Sequence, residues 1–272
     1  MKMVVNGGIV PAPAGMTELP EGAGVFETVL LRENVPVFLA EHWVRFVAGC
    51  GWHGFTAPMT ADELVNLTRQ LAQENQVRTG VLRFAAWRHD DRIEWRVELG
   101  PPRPHMARAR FRVADGGPVL PGITPDRACK HLHRGEWAQA LREARAAGWD
   151  EVLLSDLAGR LVEGGGANVF FVAGGVLHTP GLAVGPLPGV MRAQVLALAR
   201  ARGWPVREGE FARNELAKAS EIWLTNSLLG VRPVAEFAGR RFDSAYPVLK
   251  RLRGLWQEEW GWDPLLIVTP GH

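Results

Sequence analysis

The spacing of apolar and polar positions changes period along the chain, and each change marks an element. Residues 1–15, MKMVVNGGIVPAPAG, read as a β-hairpin turning on Asn6-Gly7. Residues 24–38, GVFETVLLRENVPVF, read as two strand-like runs joined by the polar turn RENVP. EHWVRFVAGCG then places Trp43, Phe46 and Val47 at helical spacing before a terminal glycine. TADELVNLTRQLAQENQ predicts a second helix with Thr60 as N-cap and Leu64, Leu67 and Leu71 on one face. GVLRFAAWR and RIEWRVELG predict two strands around the polar turn HDD. These elements make a small α+β unit.

Proline and charge concentrate in GPPRPHMARA, and this shift in composition places a linker at 100–107 between a small domain, 1–99, and a larger one, 108–272. Beyond it RFRVAD reads as a strand. HRGEWAQALREARAAG reads as a helix with Trp137, Leu141 and Ala144 inward and Gly148 as its stop, and EVLLSD as a further strand. GRLVEGGGANVFFVAGGVLHTP alternates short β runs with glycine turns. LPGVMRAQVLALARARG predicts a helix opened by Pro188 and Gly189, with Met191, Val195 and Leu198 along one side. EIWLTNS and VRPVAEF read as strands, and SAYPVLKRLRGLWQEEW as a last helix broken near Pro247. No internal repeat is visible.

Composition narrows the function classes. With 31 basic against 29 acidic residues the chain lacks the charge excess of a nucleic-acid or membrane surface, so a small-molecule partner is expected. Cys50 and Cys129 provide neither a disulfide framework nor a CxxC knuckle and read as buried thiols in a reducing compartment. Asn6, Gly7 and Gly8 interrupt the N-terminal apolar run, and no run approaches the roughly 18 apolar residues of a membrane span. A cytoplasmic setting is the expectation.

The chain contains no GxSxG, Walker A or HExxH motif, and GGGAN at 164–168 lies between strand runs, where a dinucleotide fingerprint does not belong. His131 and His133 form an H-x-H pair without a nearby cysteine or carboxylate group to complete a metal set. Lys130 carries more information. Only four of the 31 basic residues are lysines, and Lys2, Lys218 and Lys250 sit at the terminus or in amphipathic helical patterns, where they read as surface residues. Where a solvated positive charge is nearly always written as arginine, a lysine ending VLPGITPDRACK reads as a partly desolvated amine. Desolvation lowers an amine's pKa, and the neutral form has a lone pair able to form an imine.

These residues carry a resemblance. KHLHRGEWAQALREARAAGWDEVLLSDLAGRLVEGGGANVFFVAGGVLHTPGLAVGPLPGVMR, followed by EIWLTNSLLGVRPV, resembles the large-domain signature of class IV (fold-type IV) pyridoxal-phosphate enzymes. These include branched-chain and D-amino-acid aminotransferases and 4-amino-4-deoxychorismate lyases. GVFETVLL with EHWVRF is similar to their small-domain signature, and the ordered elements together cover most of residues 24–235.

The resemblance implies a two-domain, mixed α/β (α+β) fold, with a small α+β N-terminal domain and a larger β-barrel-like C-terminal domain with flanking helices. It also implies a homodimer, with pyridoxal 5′-phosphate in the cleft between the lobes and a small-molecule amine as substrate. Lys130 matches the family's Schiff-base lysine and Glu163 the carboxylate at the pyridine nitrogen. Arg45 matches the phosphate arginine, with Val190 and Met191 as helix N-terminal donors and Ser227 as a further hydroxyl donor, helped by Thr225 and Asn226. Phe26, Trp87, Arg88 and His133 are expected to border the substrate. Branched-chain aminotransferases have a tyrosine shortly after the lysine, whereas the sole tyrosine here is Tyr246. KHLHR is closer to the K-x-L-N-R of the lyases, although their glycine-rich loop is replaced by GVLRFAAWRHDDRIEW. The expected activity is therefore a 4-amino-4-deoxychorismate lyase, with a class IV aminotransferase as the alternative and a non-catalytic homologue as the third reading.

Overall fold

A computed structural model describes residues 1–13, 18–20, 23–120, 129–132, 135–243 and 245–265. Two compact units emerge. The first contains Met1–Pro104 and also residues 129–132; the second is built from the remainder.

The first unit is a six-stranded antiparallel sheet with two helices. Its strands are β1 (Lys2–Val5), β2 (Gly8–Pro11), β3 (Gly24–Arg32), β4 (Val35–Pro36), β5 (Gly80–His89) and β6 (Arg92–Gly100), in the order β2-β1-β6-β5-β3-β4. The expected N-terminal hairpin forms, and Asn6 and Gly7 both take the left-handed conformation that a two-residue turn of this kind requires. Helix α1 (Leu39–Trp52) packs Phe46 and Cys50 against Val25, Val29 and Leu31 of β3 in the apolar core. Two expectations about this helix change. It continues through Gly49 and Gly51 to Trp52, and Val47 faces outward, 41% exposed, on the same side as Val44 and Trp52. Gly49 is needed for close approach, since a Cβ there would lie 2.8 Å from Val25 Cγ1. Helix α2 (Ala61–Asn75) opens on Thr60 as expected. The Thr60 hydroxyl accepts from Glu63 N while Glu63 reaches back to Thr60 N, a reciprocal capping box. Leu64 and Leu71 are fully buried beneath it, and Leu67 packs at their edge.

The second unit is a nine-stranded mixed sheet with three α-helices among its described residues. Its strands are β7 (Phe111–Leu120), β8 (Glu151–Asp156), β9 (Leu161–Gly164), β10 (Asn168–Ala173), β11 (Val176–Pro180), β12 (Val206–Gly209), β13 (Glu221–Asn226), β14 (Gly230–Phe237) and β15 (Arg240–Arg241). The order is β12-β11-β10-β13-β14-β7-β8-β9, with β15 paired to β14. The sheet curls until its ends meet: Leu161 N donates to Phe211 O at 2.8 Å, and Arg160 and Ala212 form an antiparallel bridge just beyond β12. Its helices are α3 (Gly135–Ala146), α4 (Val190–Ala201) and α5 (Pro247–Trp260). Pro247 does not break the last helix but opens it at N1, where the missing N–H costs nothing. No helix among the described residues is long and apolar enough to cross a membrane.

The capping box at Thr60 is exposed and local, so Thr60→Ala is expected to lower stability by about 1 kcal/mol. Urea denaturation of the two proteins side by side checks this, and an unchanged midpoint would count against the assignment.

Candidate active site

In the first unit the chemistry gathers along β3. Its odd positions Val25, Val29 and Leu31 enter the core beneath α1, and strand alternation sends Glu27 the same way. There the Glu27 carboxylate, 1% exposed, meets two residues that α1 offers one turn apart. Arg45 donates from Nε to Oε1 at 2.6 Å and from its second nitrogen to Oε2 at 2.7 Å; His42 Nδ1 lies 2.7 Å from the same Oε2. Burial acts to raise the Glu27 pKa, but the Arg45 guanidinium and then the His42 hydrogen bond outweigh it and hold the carboxyl well below the usual range. For His42 burial dominates: it and the positive Arg45 and Lys130 outweigh Glu27 and keep the pKa below the ordinary histidine value. A neutral imidazole donating Nδ1–H to an ionised carboxylate follows. Removing one partner of such a buried set typically costs about 3–5 kcal/mol.

Lys130 belongs to this unit as well. Residues 129–132 lie along the edge of β3 that β5 leaves open: Phe26 N donates to Lys130 O at 2.9 Å, Leu132 N donates to Gly24 O at 3.0 Å, and Val25 pairs with His131. Alternation then sorts the side chains. Cys129 and His131 point to the α1 side, where Cys129 joins the core and His131 Nδ1 lies 2.9 Å from His53 Nε2. Lys130 and Leu132 point to the opposite side. There Leu132 clusters with Ala85, Trp87 and Phe26, and Lys130 Nζ stands 4.8 Å from the centre of the Phe26 ring. The amine is half-buried, whereas Lys2, Lys218 and Lys250 are all exposed. Trp87 is buried beside Phe26; Arg88 is exposed and donates to Gly54 O. His133 lies outside the described residues. Cys50 and Cys129 are buried thiols, as expected, and burial with Cys129 nearby pushes the Cys50 thiol up to about 12.

In the second unit three sequence elements converge on Glu163, which sits on β9 and is 3% exposed. Trp137 Nε1 from α3 donates to Oε1 at 3.1 Å. Leu187 N, from the LPG segment, donates to Oε2 at 3.0 Å, and Asn168 Nδ2, at the start of β10, donates to Oε2 at 3.3 Å. Asn168 also donates to Leu187 O at 2.9 Å, which clamps the LPG segment to the strand. Gly189 must be a glycine here, because a Cβ would fall 1.9 Å from Asn168 Oδ1. Helix α4 starts on this glycine without a side-chain cap or an acidic residue in its first turn. The N–H groups of Val190 and Met191 are thus first-turn donors at the positive end of a helix dipole. Arg192 of the same motif is tied down elsewhere, donating to Pro180 O and Glu208.

Ser227 follows β13 in a turn fixed by Asn226. Its Oδ1 accepts from the N–H groups of Leu228 and Leu229, and its Nδ2 donates to Gly166 O at 2.8 Å. Thr225 stands directly opposite Asn168 across the β10–β13 pair, so both side chains lie on one face of the sheet. Its hydroxyl is completely buried and has no hydrogen-bond partner among the described residues.

Glu27, Trp137 and Asn168 therefore join the residues singled out from sequence, which already included Thr225. Glu27 had a legible signal: it is the one charge among the inward-facing positions of an apolar strand, and an H-x-x-R pair follows on the next helix. Glu151 had none. Its carboxyl lies under the loop 164–166, and burial pushes its pKa up to about 7 against the opposing Val152, Gly165 and Gly166 N–H groups and Arg145.

The family model for class IV amino-transferases matches residues 24–237. This chain belongs to that family. It is 34% identical to a branched-chain-amino-acid aminotransferase of Pseudomonas aeruginosa, over 85% of this chain and 82% of that protein. It is 32% identical to an aminodeoxychorismate lyase of Vibrio harveyi, over 46% of this chain and 47% of that protein. Among solved structures, the branched-chain aminotransferase of the thermophilic archaeon Thermoproteus uzoniensis with norvaline superimposes with a TM-score of 0.81. It is 26% identical, covering 99% of this chain and 99% of that one. The expected fold-type IV architecture, with its curled large-domain sheet, is thus the one found.

Because the folded Glu151 pKa of about 7 lies above the usual 4.5, the native chain holds the extra proton between those values. This group's contribution to stability is therefore greatest below about 4.5, falls as pH rises toward about 7, and is level above. His42, with its lowered pKa, adds stability as pH rises toward 6.5, so the test is the difference: urea midpoints across that window should lose a declining component in Glu151→Gln relative to the parent protein. The same slope in both would show that Glu151 is not the group responsible.

Proposed function

We propose that this enzyme is a pyridoxal-phosphate-dependent 4-amino-4-deoxychorismate lyase, releasing pyruvate and 4-aminobenzoate. The residues present fit the cofactor: a half-buried amine, a buried carboxylate, a helix N-terminus bare of acidic side chains, and a buried hydroxyl with no partner among the described residues. In this reading Lys130 Nζ holds the cofactor's aldehyde carbon and Glu163 its ring nitrogen. Arg45 with the Val190 and Met191 N–H groups and Ser227 holds its phosphate, the guanidinium and helix terminus both matching a dianion. When bound, pyridoxal phosphate supplies the electron sink for the pair released at the carbon bearing the substrate amine.

The chain's own residues supply the rest. Once the substrate amine has replaced it on the cofactor, Lys130 Nζ would be a free amine able to take the proton from that carbon as general base and to return one to the departing enolpyruvyl group. The Phe26 ring beneath it sets where the amine can stand, and Leu132 and Trp87 keep water from that side. Glu27 keeps the Arg45 fork from swinging, because both ends of its carboxylate are engaged.

The observation that carries the lyase reading is the fate of the single tyrosine. Tyr246 is 6% exposed and its hydroxyl donates to Val234 O at 3.1 Å, so it is spent in the core of the second unit. The residue by which branched-chain aminotransferases bond the ring hydroxyl has no counterpart after Lys130. A second reading is an aminotransferase of branched-chain or D-amino acids; its branched-chain form is favoured by the Pseudomonas relative, which matches 85% of the chain.

Purified enzyme given aminodeoxychorismate should form pyruvate and 4-aminobenzoate in equal amounts, and Lys130→Ala should lower that rate by about 10³-fold or more. Borohydride reduction should leave a phosphopyridoxyl mass on the peptide containing Lys130. Formation of a 2-oxo acid from an amino acid and 2-oxoglutarate, without pyruvate from aminodeoxychorismate, would replace the lyase by the transferase; absence of the modified peptide would remove both.

A further inference from the structure

Between Glu163 and Asn168 run three consecutive glycines and Ala167, and this loop is folded around one side chain. Glu151, the first residue of β8, is 2% exposed. Its Oε1 accepts from Val152 N at 3.0 Å and from Gly166 N at 3.3 Å, and its Oε2 accepts from Gly166 N at 3.2 Å. A Cβ at Gly165 would stand 3.0 Å from Glu151 Oε1 and 3.0 Å from Leu141 Cβ. One at Gly166 would stand 3.3 Å from Glu151 Oε2 and from Leu141 Cδ2. None of these three glycines has a positive φ, so they are selected by space: the main chain lies directly against the carboxyl. Around this contact Gly165 N donates to Val152 O and Gly164 N to Ala167 O. The loop delivers Glu163 at one end and Asn168 at the other, and its Gly166 O receives Asn226, which shapes the turn holding Ser227.

We propose that Glu151 is a positioning residue: its carboxyl fixes the glycine loop and thereby sets the aim of Glu163. A carboxyl group stripped of water is an expensive peg unless the main chain grips it, and burial has pushed this one's pKa up to about 7. An apolar side chain of the same size would fill the space without directing the Gly166 N–H, so the grip, not the volume, is what the site uses.

The inference rests on the cofactor assignment above, and a binding measurement separates the two. Apo protein is titrated with pyridoxal 5′-phosphate and Kd read from the absorbance of the bound form, for the parent, Glu151→Gln, Glu163→Gln and the double variant. Each single substitution is expected to weaken binding about tenfold. The double variant should be no more than about threefold weaker than Glu163→Gln alone, since both act through one carboxylate. Thermal melting accompanies each titration, and should Glu151→Gln fail to fold, Gly166→Ala takes its place with the same expected result. That variant leaves Glu151 intact and pushes its Cβ against Oε2. Losses that multiply in the double variant, or a Kd within twofold of the parent for Glu151→Gln, would overturn the positioning role while leaving the cofactor assignment standing. A parent protein that binds no pyridoxal phosphate would overturn both.

Discussion

A carboxylate carried out of water costs several kcal/mol unless hydrogen-bond donors meet it inside, and this requirement organises both units. Glu27 is answered by Arg45 and His42, which locks α1 onto β3. Glu163 draws together an indole from α3, a side-chain amide from β10 and a main-chain amide from the LPG segment. Glu221 on β13 accepts from Trp223 Nε1 and from the N–H groups of Val248 and Leu249, at the positive end of α5. Glu151 is met by the glycine loop. In each case the donors come from segments that the carboxylate then holds in place, so the groups suited to chemistry are also the ones that fasten the elements together.

Much of this was legible from periodicity and punctuation. The β3 run, the capped α2, the β5–β6 hairpin, and the glycines bounding β9 and β10 follow from rules that act within a few residues. What stayed hidden acts at long range. Lys130 is flanked in sequence by segments of the second unit, yet it lies along β3, and the Val25–His131 pair joins positions more than a hundred residues apart that no local pattern links. Val47 has the helical spacing of a core residue and faces out, because spacing gives the face of a helix only to within a residue or so. Pro247 reads as a breaker in a string and acts as a first residue in three dimensions. The domain to which a lysine belongs is set by which strand edge remains open, and that is a property of the folded sheet.

The placement of Lys130 also explains its neighbours. An extended segment must send adjacent side chains to opposite sides, so one short stretch serves two purposes. Cys129 and His131 face the α1 side, and Lys130 and Leu132 face the aromatic side. The H-x-H pattern, suggestive of a metal when read alone, resolves at His131 into a hydrogen bond with His53. The two lone cysteines close the core under α1. Apolar packing on one side thus fixes the height and direction of the amine on the other.

The curled sheet has a consequence for how the polypeptide is made. Strand β7 pairs in parallel with β14, joining Phe111 to Val234, and the seam between Leu161 and Phe211 closes only once both ends exist. The first unit likewise lacks one edge of β3 until residue 131 has emerged. On a ribosome working from the N-terminus, the first unit's β3 edge waits for the opening segment of the second unit to be synthesised, and the second unit's seam waits for residue 211. Such high contact order makes for slow acquisition of structure, and the nascent β3 edge stays open to mispairing until its late partner arrives.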